Sequence, residues 1–298
     1  MDEIALYRTM YRIRRFEETV LEEFKRGVFA GTTHTSIGQE ANAAGVIAAL
    51  DPQDIIVTNH RCHGHFIAYG GDPRALFAEM MGRQTGVCGG RGGSQHIHWR
   101  NLYSNGVQGG IMPISAGMAL AEKEKKSGAI VTVFIGDGTF GEGVLYEACN
   151  MASLWKVPLL IVVENNHIAQ TTPTALTMAG NIAGRLHAFD IPVTELDSCD
   201  VMEIHLTAMQ MTGLVRREGR PYALVLNTTR FGPHSKGDDT RAEAEIQALR
   251  TSRDPLLVSR SRLAKDELER IQVEIDKEVN EAFTRALADP PARLEEGG

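Results

Sequence analysis

Three stretches of the chain are almost unbroken apolar runs: AIVTVFI at 129–135, PLLIVVE at 158–164 and YALVLNTT at 222–229. A strand with one wet face alternates apolar and polar residues, so runs of this kind predict strands buried on both faces. DIIVTNH at 54–60 and IPVTEL at 191–196 are shorter runs of the same type, the first ending in polar residues at its carboxyl end. Between these runs the apolar positions shift to helical spacing. Helices are predicted over Leu6 to Arg26, in GQEANAAGVIAAL (38–50), in PISAGMALAEKEKKSG (113–128), in EGVLYEACNMASLW (142–155) and between the last two strands. From Asp254 the chain is charged and helical in pattern, a C-terminal helical tail ending at DPPARLEEGG. Helices alternating with apolar strands predict an α/β fold, a parallel sheet with helices on both faces. The pattern breaks down between Arg83 and Gly110, where glycines crowd in GRQTGVCGGRGGSQHIHW and NGVQGG. Such crowding predicts a long irregular loop whose backbone approaches something closely.

Composition narrows the class of partner. The chain has 298 residues, 43% hydrophobic and 23% charged, enough for a sizeable core in one large domain or two modest ones. A formal net charge of -7 gives no electrostatic attraction to nucleic acid or an anionic membrane, so neither is expected as a partner. No apolar run reaches the roughly 18–20 residues of a membrane span, and the N-terminus has no signal-peptide core, so the expected location is cytoplasmic. Cys62, Cys88, Cys149 and Cys199 form no CxxC pair and read as reduced, mostly packed thiols.

The candidate chemistry sits at the ends of two runs. Asp137, in GDG, follows one strand; Asn165 and Asn166 follow the next. In an open parallel sheet, ligands bind beyond the carboxyl ends of the strands, so both tips face one crevice. A carboxylate, an amide oxygen, a backbone carbonyl and phosphate oxygens compose an octahedral site suited to Mg2+. Alone, GDG is a common turn and NN a common element end. Paired, with 26 residues between Gly138 and Asn165 filled by a helix and a strand, they resemble the thiamine-diphosphate motif.

The likeness extends along the chain, through GQEA (38–41), HRCHGH (60–65), EMMGRQTGVCGGRGGSQHIH (79–98), NGVQGGIMPISAGMA (105–119), GDG, ENNHIAQTTP and RDPLL (253–257). From about residue 5 to 290 the sequence resembles the α subunit of the E1 component of 2-oxo acid dehydrogenases, most like the acetoin dehydrogenase and pyruvate dehydrogenase branches. The resemblance implies one thiamine-diphosphate-binding domain over 1–290 with a tail at 291–298. It implies Mg2+ ligation by the side chains of Asp137 and Asn166 and the carbonyl of Ile168. Arg61 would contact the diphosphate, with His60 where many relatives carry tyrosine. Gly106 and Gln108 fall where family backbone atoms meet the aminopyrimidine, and Gln108 is often valine in relatives. Gly136, Gly138 and Thr139 would shape and cap the diphosphate turn. His34 and His234 match the catalytic histidines of the family and His63 another near the cofactor; His65 reads as structural. Cys62 reads as core, and Ser235 falls where some relatives are phosphorylated.

The activity so implied is cleavage of a 2-oxo acid or acetoin, with the acyl group passed to a lipoyl-bearing E2 or an acyl carrier protein. A separate β subunit would complete the site in an α2β2 assembly. Proline in RFGPHSKGDD and Gln95, where relatives often have methionine, leave donor and acceptor open: C2-ketol transfer from a ketose phosphate runs on the same machinery. A non-catalytic scaffold subunit is the alternative from another class.

Overall fold

The structure is a computed structural model that describes residues 2–29, 31–235, 237 and 239–293. Helix α1 (Glu3–Phe24) starts at an Asp2 cap and buries Leu6, Met10, Ile13, Phe16 and Val20 on one face, the helical spacing seen in the sequence. Helix α2 (Glu40–Ile47) is buried throughout. Strand β1 (Ile55–Thr58) leads into α3 (Cys62–Ala68) and α4 (Pro73–Met80), the latter opened by Asp72 and a proline in its first turn. Two short strands, β2 (His98–Trp99) and β3 (Leu102–Ser104), precede α5 (Gln108–Lys125), β4 (Val131–Gly136), α6 (Gly143–Leu154) and β5 (Leu159–Asn165). A small hairpin, β6 (Ile168–Ala169) with β7 (Thr172–Pro173), is followed by α7 (Ile182–His187), β8 (Val193–Leu196), α8 (Val201–Glu218) and β9 (Tyr222–Asn227). The chain closes with α9 (Glu243–Arg253), α10 (Pro255–Arg260) and α11 (Lys265–Ala288). The tail beyond 293 lies outside the described residues.

Seven of these strands form one sheet in the order β2-β3-β1-β4-β5-β9-β8. Every pair is parallel except β2 with β3. Successive side chains enter opposite layers, as the pleat requires. Phe134, Leu160, Val162 and Leu224 join one apolar layer with α1, α2, α4, α8 and α11. Val133, Ile161, Val163 and Val225 join the other with α5, α6 and α7. The predicted doubly covered sheet is what these residues build, and it aligns the ends of β1, β4 and β5 at one edge. No described helix is long and apolar enough to cross a membrane.

Two expectations change in detail. The glycine-rich stretch is not all irregular, because β2 and β3 fold back as a hairpin that extends the sheet beside β1. The rest wraps around one carboxylate. Glu79, fully buried on α4, accepts the amides of Cys88 (2.6 Å) and Gly90 (2.9 Å) on Oε2 and of Gly92 (2.6 Å) and Gly93 (3.2 Å) on Oε1. What the backbone approaches so closely is therefore the chain's own acid. Gly90 has φ +76°, and a Cβ there would lie 2.5 Å from the Arg83 carbonyl oxygen. The second change is that α5 begins at Gln108, before Pro113. Side chains open it: Glu142 accepts the Gly109 amide at 3.0 Å and Asn105 the Val107 amide at 2.9 Å.

Candidate active site

The tips of β1, β4 and β5, with the start of α5, line a cavity of about 440 Å³ at the carboxyl edge of the sheet. Asp137 follows β4 and is 4% exposed. Its Oδ1 accepts the Gly138 amide at 2.9 Å, while Oδ2 is buried and has no hydrogen-bond partner among the described residues. Burial pushes the carboxyl pKa above its ordinary value, partly opposed by the Gly138 amide. A buried acid oxygen left without a donor is stable only if something else answers it, and a cation does so best.

The two asparagines divide their work. Asn165 belongs to the sheet: its Nδ2 donates to Asn227 Oδ1 at 2.7 Å across to β9. Asn166 lines the cavity, its Oδ1 accepting the Ile168 amide at 3.1 Å. Between them and Ile168 the chain turns through His167, in the left-handed region at φ 62°. Ile168 thus comes round to the same cavity as Asp137 and Asn166. A Cβ at Gly138 would stand 3.1 Å from that of Ala169, a tight contact that favours glycine in this turn.

On the β1 side, Asn59 Oδ1 accepts the Arg61 amide at 2.8 Å. The Arg61 guanidinium donates to the carbonyls of Thr35 (2.6 Å) and His234 (3.1 Å), tying two distant loops to the cavity wall. His34, His60 and His234 pack ring to ring, with centroids 4.5 Å, 4.8 Å and 5.4 Å apart. Burial first, then the Arg61 charge and the neighbouring rings, lowers the His60 pKa to about 2, so this imidazole is uncharged at neutral pH. Gln108 reaches between the walls: its Oε1 accepts from the Gly136 amide (2.8 Å) and the Thr139 hydroxyl (3.0 Å), and its Nε2 faces His60 Nδ1 at 3.2 Å. The Gln95 side chain packs into the space that Gly106 leaves, its Oε1 2.3 Å from where a Cβ would stand.

The structure therefore brings His34, His60, Arg61, Gly106, Gln108, Gly136, Asp137, Gly138, Thr139, Asn166, Ile168 and His234 around one cavity. His63 is elsewhere. It is fully buried, with Nδ1 3.0 Å from Glu17 Oε2 and Nε2 2.8 Å from Ser94 Oγ, and it does not line the cavity. Its place is one step behind the wall, linking α1 to the loop that carries Gln95. His65 bonds Thr58 Oγ1 at 2.9 Å and packs on Phe134. Two acids went unremarked in the sequence. Glu164 lines the cavity at 5% exposure, with Asn42 Nδ2 at 3.2 Å; an acid closing a wholly apolar strand was its signal. Glu142, also on the wall, gave none, because its task is to cap a helix remote in sequence.

Residues 8–295 match the family described as "Dehydrogenase E1 component". The pyruvate dehydrogenase E1 component subunit alpha of Zymomonas mobilis is 36% identical over 303 residues, spanning 96% of this chain and 84% of that protein. The mitochondrial somatic form from Rattus norvegicus is 33% identical over 307 residues, spanning 100% of this chain and 78% of that protein. The human testis-specific form is 34% identical over 305 residues, spanning 99% and 78%. The chain belongs to the dehydrogenase E1 component family, as an α-subunit-type member of the thiamine-diphosphate-dependent 2-oxo acid dehydrogenases.

Proposed function

We propose that the chain is the α subunit of an E1 enzyme that cleaves a 2-oxo acid, pyruvate being the first candidate from its relatives' names. The acyl group would pass to a lipoyl-bearing E2 or an acyl carrier protein. The observation that carries the reading is the buried Oδ2 of Asp137, without a hydrogen-bond partner among the described residues, in a cavity that Asn166, Ile168, Arg61 and His60 also line.

The residues present fit the cofactor and its metal. Asp137, Asn166 and the Ile168 carbonyl are the hard oxygen donors Mg2+ prefers. Gly136 and Gly138 leave room for a diphosphate against the backbone, and Arg61 is the fork-shaped cation suited to hold it. When bound, thiamine diphosphate supplies an electron sink for carbon–carbon cleavage next to a carbonyl. The chain's part is to clamp and orient. Arg61, through Thr35 and His234, fixes the loop bearing His234 over the cavity, and His34 and His234 hold or pass protons at the substrate end.

The site is completed from outside. Val107 and Ile114, 63% and 49% exposed on and before the first turns of α5, give an apolar surface beside the cavity, which supports a β-type partner there in an α2β2 assembly. Both apolar layers share one sheet, which supports one domain over 1–290 with 291–298 as a tail. The free thiols of all four cysteines support a reducing, cytoplasmic setting. A docking scaffold has no use for a buried carboxylate that destabilises the empty protein, so the catalytic reading is preferred.

The test is a titration of the chain, together with its β-type partner, with thiamine diphosphate and Mg2+. Saturable binding is expected, and its absence would sink the enzyme reading. Turnover of pyruvate, branched 2-oxo acids, acetoin and ketose phosphates with an artificial electron acceptor then separates the donors.

A further inference from the structure

His34, His60 and His234 each place a ring nitrogen within 4.8 Å of the others, the make-up of a transition-metal site. The hydrogen-bond donors around the rings oppose that. Gln108 Oε1 accepts from the Gly136 amide at 2.8 Å, so its carboxamide can face only one way, and Nε2 is the end that meets His60. An amide nitrogen donates and cannot accept, so His60 Nδ1 is the acceptor and the single ring proton sits on Nε2. The neighbours repeat the arrangement. Arg61 Nη2 lies 3.2 Å from Nδ1 of His234, and a guanidinium has no lone pair to offer. Gln95 Nε2, at 3.5 Å from the Thr32 carbonyl oxygen, lies 3.4 Å from Nδ1 of His34. In each ring the Nδ1 lone pair is engaged by a donor, whereas a metal needs a free one.

His60 is left with a proton to give. It is 9% exposed, and its Nε2 is buried with no hydrogen-bond partner among the described residues, on a side chain that lines the cavity. We propose that Gln108 is a positioning residue that holds His60 as a neutral Nε2–H donor, and that this N–H binds an anionic phosphate or carboxylate oxygen in the cavity rather than a transition metal. Gln108 does this while fixing the glycine turn before Asp137, so one amide sets both walls of the site. Only the source of the oxygen rests on the function proposed above, where it is either the cofactor's diphosphate or the carboxylate of a 2-oxo acid.

The proton position is read first, with no ligand added, on the full-length chain labelled with 15N-histidine, by long-range proton–nitrogen correlation. His60, assigned from His60→Gln, is expected as the Nε2–H tautomer. Gln108→Glu replaces the donor by an acceptor and is expected to move the proton to Nδ1. An Nδ1–H or doubly protonated His60 in the wild type at neutral pH overturns the proposal, whatever the cofactor result. Binding is read next. His60→Leu is expected to weaken the anion by roughly 10- to 100-fold, and His60→Gln, which keeps an amide donor, to restore most of it. A loss in thiamine diphosphate–Mg2+ affinity assigns the oxygen to the diphosphate. A raised KM for pyruvate at saturating cofactor assigns it to the carboxylate. No change in either sinks the proposal, as does Co2+ binding with a visible absorption band that His60→Gln abolishes. Failure of the cofactor to bind the wild type, with the Nε2–H tautomer present, counts against the function and not against the tautomer.

Discussion

Asp137→Asn should make the empty protein more stable and the loaded protein less so. In the wild type the carboxylate is 4% exposed, one oxygen holds the Gly138 amide and the other holds nothing among the described residues. Leaving a buried polar group unpaired costs about 1–3 kcal/mol, and more when it is charged. Asparagine keeps the oxygen that serves Gly138 and removes the charge, so a gain of about 1 kcal/mol is expected, or roughly 2–4 °C in Tm. The pH dependence has a definite sign. Burial raises the folded pKa above the ordinary 3.8, so between those values the folded state binds more protons than the unfolded one. Stability of the ligand-free wild type therefore falls as pH rises through that window, and the penalty is complete above it. The gap between wild type and variant should close below about pH 3.8. With thiamine diphosphate and Mg2+ at about 100 times their Kd, the wild type gains about 2.7 kcal/mol and the variant nothing, so the order of melting reverses. Scanning calorimetry with and without both ligands reads all of this. A variant that melts below the wild type when empty, or that the ligands shift equally, refutes the reasoning.

Other outcomes follow from the same packing. Glu79→Ala deprives four loop amides of their acceptor and should lower the unfolding free energy by about 3 kcal/mol or more in urea, against roughly half that for Glu79→Gln; a loss below about 1 kcal/mol would show that the loop does not depend on this acid. His234→Ala should leave cofactor affinity within about threefold, since the clamp rests on Asp137, Asn166 and Arg61 and the Arg61 bond to the backbone carbonyl at 234 is kept, while acyl transfer slows; parallel collapse of both would place His234 in the clamp itself. Asp200 caps α8 through the Met202 amide and pairs with Arg262, which holds its pKa below the ordinary value. Asp200→Ala should cost about 1 kcal/mol, mostly the cap. Asp200→Asn keeps the cap and should cost only a few tenths of a kcal/mol at pH 7, because the pair is partly solvated; that difference should be present above the ordinary carboxylate range and vanish as pH falls through the lowered folded pKa. Persistence of the Asn effect in acid would rule out the charge as its cause.

What the sequence made legible was whatever one helix and one strand can measure out. Asp137 and Asn166 are separated by a single α–β unit, so spacing along the chain becomes adjacency across the β4–β5 pair, where Gly136 stands beside Glu164. The apolar runs were legible for a similar reason: a strand buried on both faces admits few other residues. HRCHGH marks where such reading stops. His60 and Arg61 stand at the end of a strand and meet the cavity, but from Cys62 the chain is helical, each residue turned about 100° from the last. His63 is thereby carried round to Glu17 of α1, and no spacing in HRCHGH reveals it, because its partner lies 46 residues away on an element placed by core packing. The same limit hid Glu79, an ordinary helix acid until the glycine loop closes on it, and the Gln108–His60 pair, 48 residues apart. In each case the local pattern is satisfied by a solvated polar residue, and only the docked tertiary structure turns it into a buried one that needs a partner. Polar positions whose partners are remote in sequence are where the chain's own design is hidden: Asp137 and Asn166 are held by amides one and two residues away, whereas His60 and the turn at Gly136 are set by Gln108 from the far wall.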